Sequence, residues 1–252
     1  MTAVAAAPRL GIDRTGSGPP LVLLHPLGGD RSVWAPVTER LAASREVVAV
    51  DLPGFGDSPP LGLEPTPAAL AEAVASGLDA LGIRDFDVAG NSLGGWVALE
   101  LALAGHARSV VAIAPAGLWL EPLRPRRGAA HVAAGLAAPF AGLLARSARL
   151  RAVAMAGFVA HPERVPASAV ARLIRAYGRA PGFAAVNAAM RANVFSRLAD
   201  IPVPVTLAWP EHDRVVSRLR HPPAGVRSVI LPEAGHLPMW DAPDAVAALL
   251  RA

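Results

Sequence analysis

Residues 86–103 read FDVAGNSLGGWVALELAL, and this stretch decides the fold. A short apolar run ends in the pentapeptide Gly90-Asn-Ser-Leu-Gly94, and a run with helical character follows at once. The pattern predicts a strand that turns sharply into a helix, with Ser92 in a strained backbone conformation that presents its hydroxyl clear of a sheet. Glycines two residues before and after the serine remove side chains that would collide in such a turn. Ser92 is therefore the candidate nucleophile.

The composition indicates one sizeable folded domain. The chain has 252 residues, of which 53% are hydrophobic and 17% charged, which excludes intrinsic disorder and favours a single α/β domain with an insertion. All 24 basic residues are arginines, spread from Arg9 to Arg251, and the formal net charge is only +4. We therefore expect no nucleic-acid partner, and we interpret the densest arginine group, at 124–127, as a solvated loop.

The absence of cysteine and the position of the apolar segments indicate where in the cell the protein is expected. The chain contains no cysteine, which excludes disulfides and thiol nucleophiles. Its first nine residues lack a basic segment followed by a long apolar one, so no signal peptide is expected and the predicted location is cytoplasmic. Residues 128–145 carry no charge, but they are rich in Ala and Gly, contain His131 and Pro139, and run into Arg146. We predict buried or lid-forming helices there and no membrane span.

Apolar runs alternate with helical patterns along most of the chain. Strands are predicted at 21–24, 46–50, 86–89, 109–114, 203–209 and 226–231, and helices at 33–43, 66–81, 93–103 and 243–250. Short, nearly all-apolar strands separated by helices indicate a mostly parallel, twisted sheet with helices on both faces. Thr66 is the expected N-cap of its helix, and Gly82 is the expected stop.

This alternation breaks between Gly117 and Arg197. The segment is rich in Ala, Arg and Pro and shows no convincing strand. We predict that 117–197 is a helical cap, or lid, inserted into an α/β core made of 1–116 and 198–252.

A serine hydroxyl needs a base within hydrogen-bond reach and an acid that orients the base. His236 stands between the last predicted strand and the last predicted helix, where a loop would project it over the carboxyl edge of the sheet. Glu211 and Asp213 both follow the strand at 203–209, and Asp213 is the preferred acid. The predicted catalytic residues are Ser92, His236 and Asp213, which occur along the chain in the order nucleophile, acid, base.

Acyl transfer also requires N–H donors aimed at the oxyanion that forms during attack. The backbone N–H of Leu93 follows the nucleophile at the start of a helix, where the dipole favours negative charge. The second donor is expected in the turn after the strand at 21–24. Leu27 is the candidate there because Pro26 has no N–H.

Four motifs together resemble the α/β-hydrolase superfamily, and the resemblance covers nearly the whole chain. They are HPLGG at 25–29, DLPGFGDS at 51–58, the turn at 90–95, and EHD at 211–213 with GH at 235–236. The resemblance implies that 117–197 is the variable helical cap over the active site, which shapes substrate choice in this family. Pro26 departs from the usual glycine after the loop histidine, and both isomers of the His25–Pro26 peptide stay open.

The residue types separate the chain from some proteins that it resembles. Haloalkane dehalogenases and epoxide hydrolases of this fold carry an aspartate where this chain has Ser92, and hydroxynitrile lyases add a lysine, which this chain lacks. Carbon–carbon bond hydrolases of aromatic ring-cleavage products share the Gly-Asn-Ser turn. Trp240 matches their second tryptophan, but Leu237 replaces the tryptophan expected beside the histidine.

The expected activity is that of a serine hydrolase with a small, largely apolar carboxylic ester as substrate. No metal or organic cofactor is expected, because the chain has neither a His-Glu-x-x-His motif nor a phosphate-cradling glycine loop. A carbon–carbon bond hydrolase, a cofactor-free perhydrolase or acyltransferase, and a non-catalytic binding protein on the same fold stay open as alternatives. The candidate pocket residues are His25, Trp119, Phe140, Phe158, Leu237 and Trp240. No oligomeric state follows from the sequence.

Overall fold

A seven-stranded sheet lies at the centre of the computed structural model, which describes residues 8–125 and 128–251. Its strands are β1 (Ile12–Thr15), β2 (Pro20–Leu24), β3 (Glu46–Val50), β4 (Phe86–Asn91), β5 (Ala107–Ile113), β6 (Val205–Pro210) and β7 (Arg227–Leu231). Their spatial order is β1-β3-β2-β4-β5-β6-β7, and every neighbouring pair is parallel except β1 with β3. The predicted mostly parallel α/β sheet is confirmed.

Ten α-helices accompany the strands in this part of the chain. They are α1 (Ala35–Leu41), α2 (Pro67–Ala80), α3 (Leu93–Leu103), α4 (Ala129–Ala137), α5 (Ala141–Leu144), α6 (Ala148–Met155), α7 (Ala167–Arg179), α8 (Phe183–Ala192), α9 (Pro238–Asp241) and α10 (Pro243–Arg251). The cap and stop of α2 are as predicted, since Thr66 Oγ1 accepts the N–H of Ala69 at 3.1 Å and Gly82 has a φ of +72°. Within the described ranges no helix combines the length and the apolar character needed to cross a bilayer.

Two predictions fall partly on residues outside the described ranges. They are the expectation that the first nine residues form no signal peptide and the expectation that the arginine group at 124–127, which includes Arg126 and Arg127, is a solvated loop.

Alternate residues of the central strands face two separate cores. Val22 and Leu24 belong to a cluster that includes buried residues of α2 and α3, whereas Leu21 and Leu23 belong to one that includes residues of α1 and α10. Side chains of a strand alternate between the faces of the sheet, so helices on both sides bury every residue of such a strand. This explains why the strands read as continuous apolar runs.

The carboxyl ends of β2 and β4 meet in the middle of the sheet, where Leu24 pairs with Gly90. The chain leaves β2 toward β3 on one side and returns to β4 on the other. Ligands of open α/β sheets bind in the crevice at such a switch point. Strands β2, β4, β6 and β7 all end at this edge, so the residues that follow them lie there, namely 25–29, Ser92, Asp213 and His236.

Candidate active site

Ser92 is the single residue between β4 and α3, and its backbone is strained as predicted, with φ +58° and ψ −114°. Its N–H donates to the carbonyl of Ile113 at 2.9 Å, and its carbonyl accepts the N–H groups of Trp96 and Ala116 at 3.1 and 3.0 Å. A positive φ at a non-glycine residue persists only where the surroundings enforce it. Strand β5 and helix α3 hold the serine from both sides.

Glycine is required on both sides of Ser92. A Cβ on Gly90 would lie 2.0 Å from the carbonyl oxygen of Gly94, and a Cβ on Gly94 would lie 2.3 Å from that of Leu24. Both contacts are with backbone atoms, which cannot rotate away as a side chain can. The turn therefore closes tightly against the end of β2.

His236 and Asp213 form a buried pair beside this turn. His236 Nδ1 lies 2.8 Å from Asp213 Oδ2, and the two side chains are only 4% and 5% exposed. The other carboxylate oxygen accepts the N–H groups of Val215 and Val216 at 2.7 and 3.0 Å. A carboxylate accepts only, so Nδ1 carries the proton and Nε2 keeps a free lone pair.

The Asp213 carboxyl is kept ionised by its hydrogen bonds. Burial alone would raise its pKa, but the hydrogen bond and charge of His236, together with the N–H donors of Val215 and Val216, outweigh burial and lower the pKa below its ordinary value. An ionised carboxylate at this position stabilises a positive charge on the imidazole.

Asn91 joins the loop that carries His236 (residues 232–237, the histidine loop) to the turn around Ser92 (residues 90–94, the serine turn). Its side-chain amide donates to the carbonyls of His236 and Ile113, both at 3.1 Å. Ser92 is 7% exposed, and its hydroxyl forms no hydrogen bond with another described residue. A serine–histidine contact often tightens only when substrate binds. Asn91 thus holds the backbone of His236 beside the residue that precedes Ser92, while the Ser92 hydroxyl has no hydrogen-bond partner among the described residues.

His25 lies beneath the loop after β2 and makes two hydrogen bonds with the backbone. The N–H of Leu52 donates to Nε2 at 2.9 Å, which requires the imidazole proton on Nδ1, and Nδ1 lies 2.8 Å from the carbonyl of Pro26. The side chain is fully buried, and burial lowers its pKa, although nearby carboxylates and the Pro26 bond act in the opposite direction. His25 therefore supports this loop through both ring nitrogens. Its role in a substrate pocket stays a prediction.

The geometry of that loop sets the direction of the Leu27 N–H. The His25–Pro26 peptide is trans, and the Pro26 carbonyl also accepts the N–H of Gly29 at 2.9 Å. In a planar trans peptide the N–H points opposite to the C=O, so fixing the Pro26 carbonyl toward His25 turns the Leu27 N–H away from it. Neither this N–H nor that of Leu93 donates to another described group, which leaves both available.

The remaining predicted pocket residues are dispersed. Leu237 is buried, and its N–H donates to the carbonyl of Phe158 at 2.8 Å, so these two residues join the histidine loop to the 117–197 segment. Trp119 packs edge-on against Trp96, one turn of α3 beyond the serine, with 5.8 Å between ring centres.

Two aromatic candidates lie elsewhere. Phe140 is 61% exposed, because it ends the 3-10 turn Ala138–Phe140, whose only buried residue is Ala138. Trp240 packs against the core cluster shared by α1 and α10. Phe140 therefore does not lie in an enclosed pocket, and Trp240 contacts the hydrophobic core.

The 117–197 segment lies directly against the loops of this edge. A Cβ on Gly28 would come within 2.2 Å of the Tyr177 ring, and Gly182 donates its N–H to the carbonyl of Gly54 at 2.9 Å. A Cβ on Gly235, next to the histidine, would lie 2.8 Å from the backbone of Val159. The segment thus contacts the loops that follow β2, β3 and β7.

Asp241 is a further buried carboxylate that the sequence reasoning did not find. It is 5% exposed and accepts three backbone N–H groups, from Gly235 at 2.8 Å and from Ala160 and His161 at 2.9 Å. It ties the residue before His236 to the 117–197 segment. Its one signal in the sequence is an aspartate that comes directly after the apolar run Leu237 to Trp240.

The chain is similar to known hydrolases over most of its length. The family model described as "Alpha/beta hydrolase family" matches residues 21–249. The chain is similar to an epoxide hydrolase of Mycobacterium tuberculosis, with 34% identity over 199 residues that cover 73% of this chain and 92% of that protein. It is also similar to a pimeloyl-[acyl-carrier protein] methyl ester esterase of Aeromonas hydrophila, with 32% identity over 250 residues and coverage of 92% and 94%. Among solved structures, a hydrolase from Pseudomonas aeruginosa superimposes with a TM-score of 0.74 at 25% identity, covering 95% of this chain and 91% of that one.

Proposed function

This chain belongs to the alpha/beta hydrolase family, and from that premise we propose that it is a serine hydrolase that cleaves a small, largely apolar carboxylic ester through an acyl-enzyme. The observation that carries the proposal is the buried His236–Asp213 pair at 2.8 Å beside a strained serine turn. This arrangement supplies a nucleophile, a base with a free lone pair and an ionised acid at one edge of the sheet.

In the first half of the reaction, Ser92 attacks the ester carbonyl while His236 Nε2 takes the hydroxyl proton. Asp213 holds the imidazole by Nδ1 and stabilises the positive charge that it gains. The N–H groups of Leu27 and Leu93 receive the oxyanion, and each such donor is commonly worth about 3 to 4 kcal/mol in the transition state. The imidazolium then returns the proton to the departing alcohol, which leaves the acyl group on Ser92.

In the second half, His236 removes a proton from water as the water attacks the acyl-enzyme. The same two N–H groups stabilise the second oxyanion, and its collapse releases the carboxylic acid and returns the proton to Ser92. We propose that the 117–197 segment acts as the cap of this site, because it lies on three of the loops around it. Ser92 is almost fully buried, so substrate entry requires that segment to move.

The residue at the turn favours ester cleavage over epoxide opening. One similar protein is named an epoxide hydrolase and another a methyl ester esterase. As a class, the epoxide hydrolases of this fold named in the sequence analysis carry an aspartate where this chain has Ser92. A serine cannot form the ester that such a carboxylate forms with an opened epoxide, whereas it serves acyl transfer directly.

A series of p-nitrophenyl esters of increasing acyl length, assayed with wild type and Ser92→Ala, tests the proposal. We expect turnover by wild type and a loss of at least about a thousandfold in Ser92→Ala, because the nucleophile is gone. Ser228→Ala is the matched control, since Ser228 is exposed on β7 and should leave turnover unchanged. Turnover that persists in Ser92→Ala, or wild type that cleaves none of the esters, would contradict the proposal.

A further inference from the structure

The charge of this chain is divided unevenly between its two parts. Twelve of the 24 arginines but only two of the 20 acidic residues lie in 117–197, so this segment carries a formal charge of +10 and the rest of the chain −6. The net charge of +4 conceals this separation. A molecule with such a charge distribution turns its positive side toward an anionic surface.

The same segment exposes a row of large apolar side chains. Helix α4, the 3-10 turn Ala138–Phe140 and helix α5 follow one another almost without interruption. Val132, Leu136, Phe140 and Leu143 recur along this path at helical spacing, and they are 62%, 75%, 61% and 65% exposed. An apolar stripe normally faces a core, so this one lacks a partner within the described residues.

A row of arginines runs beside the stripe. Arg172, Arg175 and Arg179 are spaced three and four residues apart on α7, and all three are exposed and lack an ion-pair partner among the described residues. A Cβ on Gly142 would lie 3.3 Å from the guanidinium of Arg175, so this charge lies next to α5. Helix α4 also packs on α7, because a Cβ on Gly178 would meet the backbone of Ala134 at 2.4 Å. Stripe and arginine row therefore share one surface.

We propose that this surface, Val132 to Leu143 with the arginines of α7, docks the protein on an anionic lipid surface. Side chains that are more than 60% exposed stand clear of their neighbours, which suits insertion among lipid headgroups better than contact with a second folded surface. Arginines attract the phosphates of anionic lipids and leave the apolar side chains to enter the headgroup region. The inference does not depend on ester hydrolysis, because docking is measured without turnover.

Vesicle flotation tests this inference with the full chain. The vesicles are phosphatidylcholine alone or phosphatidylcholine mixed with phosphatidylglycerol. We expect flotation only with the mixed vesicles and loss of flotation at high salt, because salt screens exposed charges. The triple variant Arg172→Gln/Arg175→Gln/Arg179→Gln should bind roughly a hundredfold more weakly, from about fivefold for each arginine. Its control is Arg218→Gln/Arg220→Gln/Arg227→Gln, which removes equal charge from exposed positions outside 117–197 and should float like wild type.

A second variant tests the apolar stripe. Val132→Ser/Leu136→Ser/Leu143→Ser should also lose flotation, whereas Leu63→Ser/Leu81→Ser/Ile230→Ser, at exposed positions outside 117–197, should not. Unchanged thermal midpoints show that each variant is folded. Equal flotation with neutral vesicles, equal loss in variant and control, or no flotation by wild type would overturn the inference. So would a wild-type dimer that Val132→Ser/Leu136→Ser/Leu143→Ser converts to monomer, since the stripe would then join two copies of this chain.

Discussion

Replacing Gly94 by alanine separates the intrinsic helix preference of a residue from the packing of the serine turn. Gly94 lies in the first turn of α3, and alanine is favoured over glycine in a helix by about 1 kcal/mol. Propensity alone therefore predicts a more stable protein. The structure predicts the opposite, because a Cβ on Gly94 would lie 2.3 Å from the carbonyl oxygen of Leu24 and 2.6 Å from that of His25.

The size of the effect follows from that contact. Ordinary Cβ contacts begin at 3.4 Å, so the end of β2 and the loop that carries Leu27 would have to recede by about 1 Å. Overpacking of this kind costs about 1 to 3 kcal/mol, which exceeds the propensity gain over most of that range. A displacement of about 1 Å at a reacting group can lower kcat by about a hundredfold. We expect Gly94→Ala to lose both stability and turnover.

Urea unfolding and ester hydrolysis measure the two losses. The free energy of unfolding should fall by up to about 2 kcal/mol, which is the overpacking cost less the propensity gain of about 1 kcal/mol, and kcat should fall more than KM changes. Gly62→Ala is the matched control, since no atom lies within 4 Å of a Cβ at that exposed position. A Gly94→Ala protein that is as stable and as active as wild type would show that the turn is not packed as described.

Two further predictions concern buried groups beneath the site. Burial lowers the pKa of His25, so the neutral imidazole that accepts the Leu52 N–H stabilises the fold above the ordinary pKa of 6.5, and this contribution is lost as the pH falls below that value. Urea unfolding should accordingly show a larger gap between wild type and His25→Gln at pH about 8 than at pH about 5. Asp241→Asn should cost about 1.5 to 3 kcal/mol in unfolding free energy and lower kcat, because an amide cannot accept all three N–H groups, including that of Gly235. Asp244→Asn, at an exposed position on α10, should leave the urea midpoint and kcat nearly unchanged.

Each of these two predictions has an outcome that would contradict it. A gap between wild type and His25→Gln that is the same at both pH values would mean that the imidazole does not change its protonation over this range. Asp241→Asn with wild-type kcat would show that the contact between the 117–197 segment and the histidine loop does not position His236.

Five of the seven strands, β2 to β6, are largely buried and were predictable because each is a short apolar run. The sequence also predicted β7, which is mostly exposed but contains the apolar run Val229 to Leu231. The strand that was missed, β1, contains Asp13 and Arg14 and is exposed over three of its four residues. It pairs with β3 at the edge of the sheet, where only one neighbour supplies hydrogen bonds and no apolar run is needed. Its place depends on tertiary pairing, which local sequence does not encode.

The site residues also divide into those that the local sequence predicts and those that depend on tertiary contacts. Ser92, Asp213 and His236 were predicted from residue type and from their places after particular strands, and the structure places all three at one edge of the sheet. His25 and Asp241 were not assigned their observed contacts, because each acts through backbone N–H and C=O groups whose positions exist only in the folded chain. Phe140 was expected in a pocket from its aromatic character alone, whereas its exposure depends on how the 3-10 turn Ala138–Phe140 packs on α7.

The central claim is that Ser92 is an activated nucleophile. Labelling with a fluorophosphonate, followed by tryptic digestion and mass spectrometry, tests it directly. The tryptic peptide at 85–108 contains Ser92 and no other serine, threonine or tyrosine, so an adduct on it identifies the residue. We predict one adduct on this peptide in wild type, none in Ser92→Ala, and labelling slowed by roughly a thousandfold in His236→Gln. An adduct on a different peptide, or labelling at an unchanged rate without the His236 imidazole, would contradict the account.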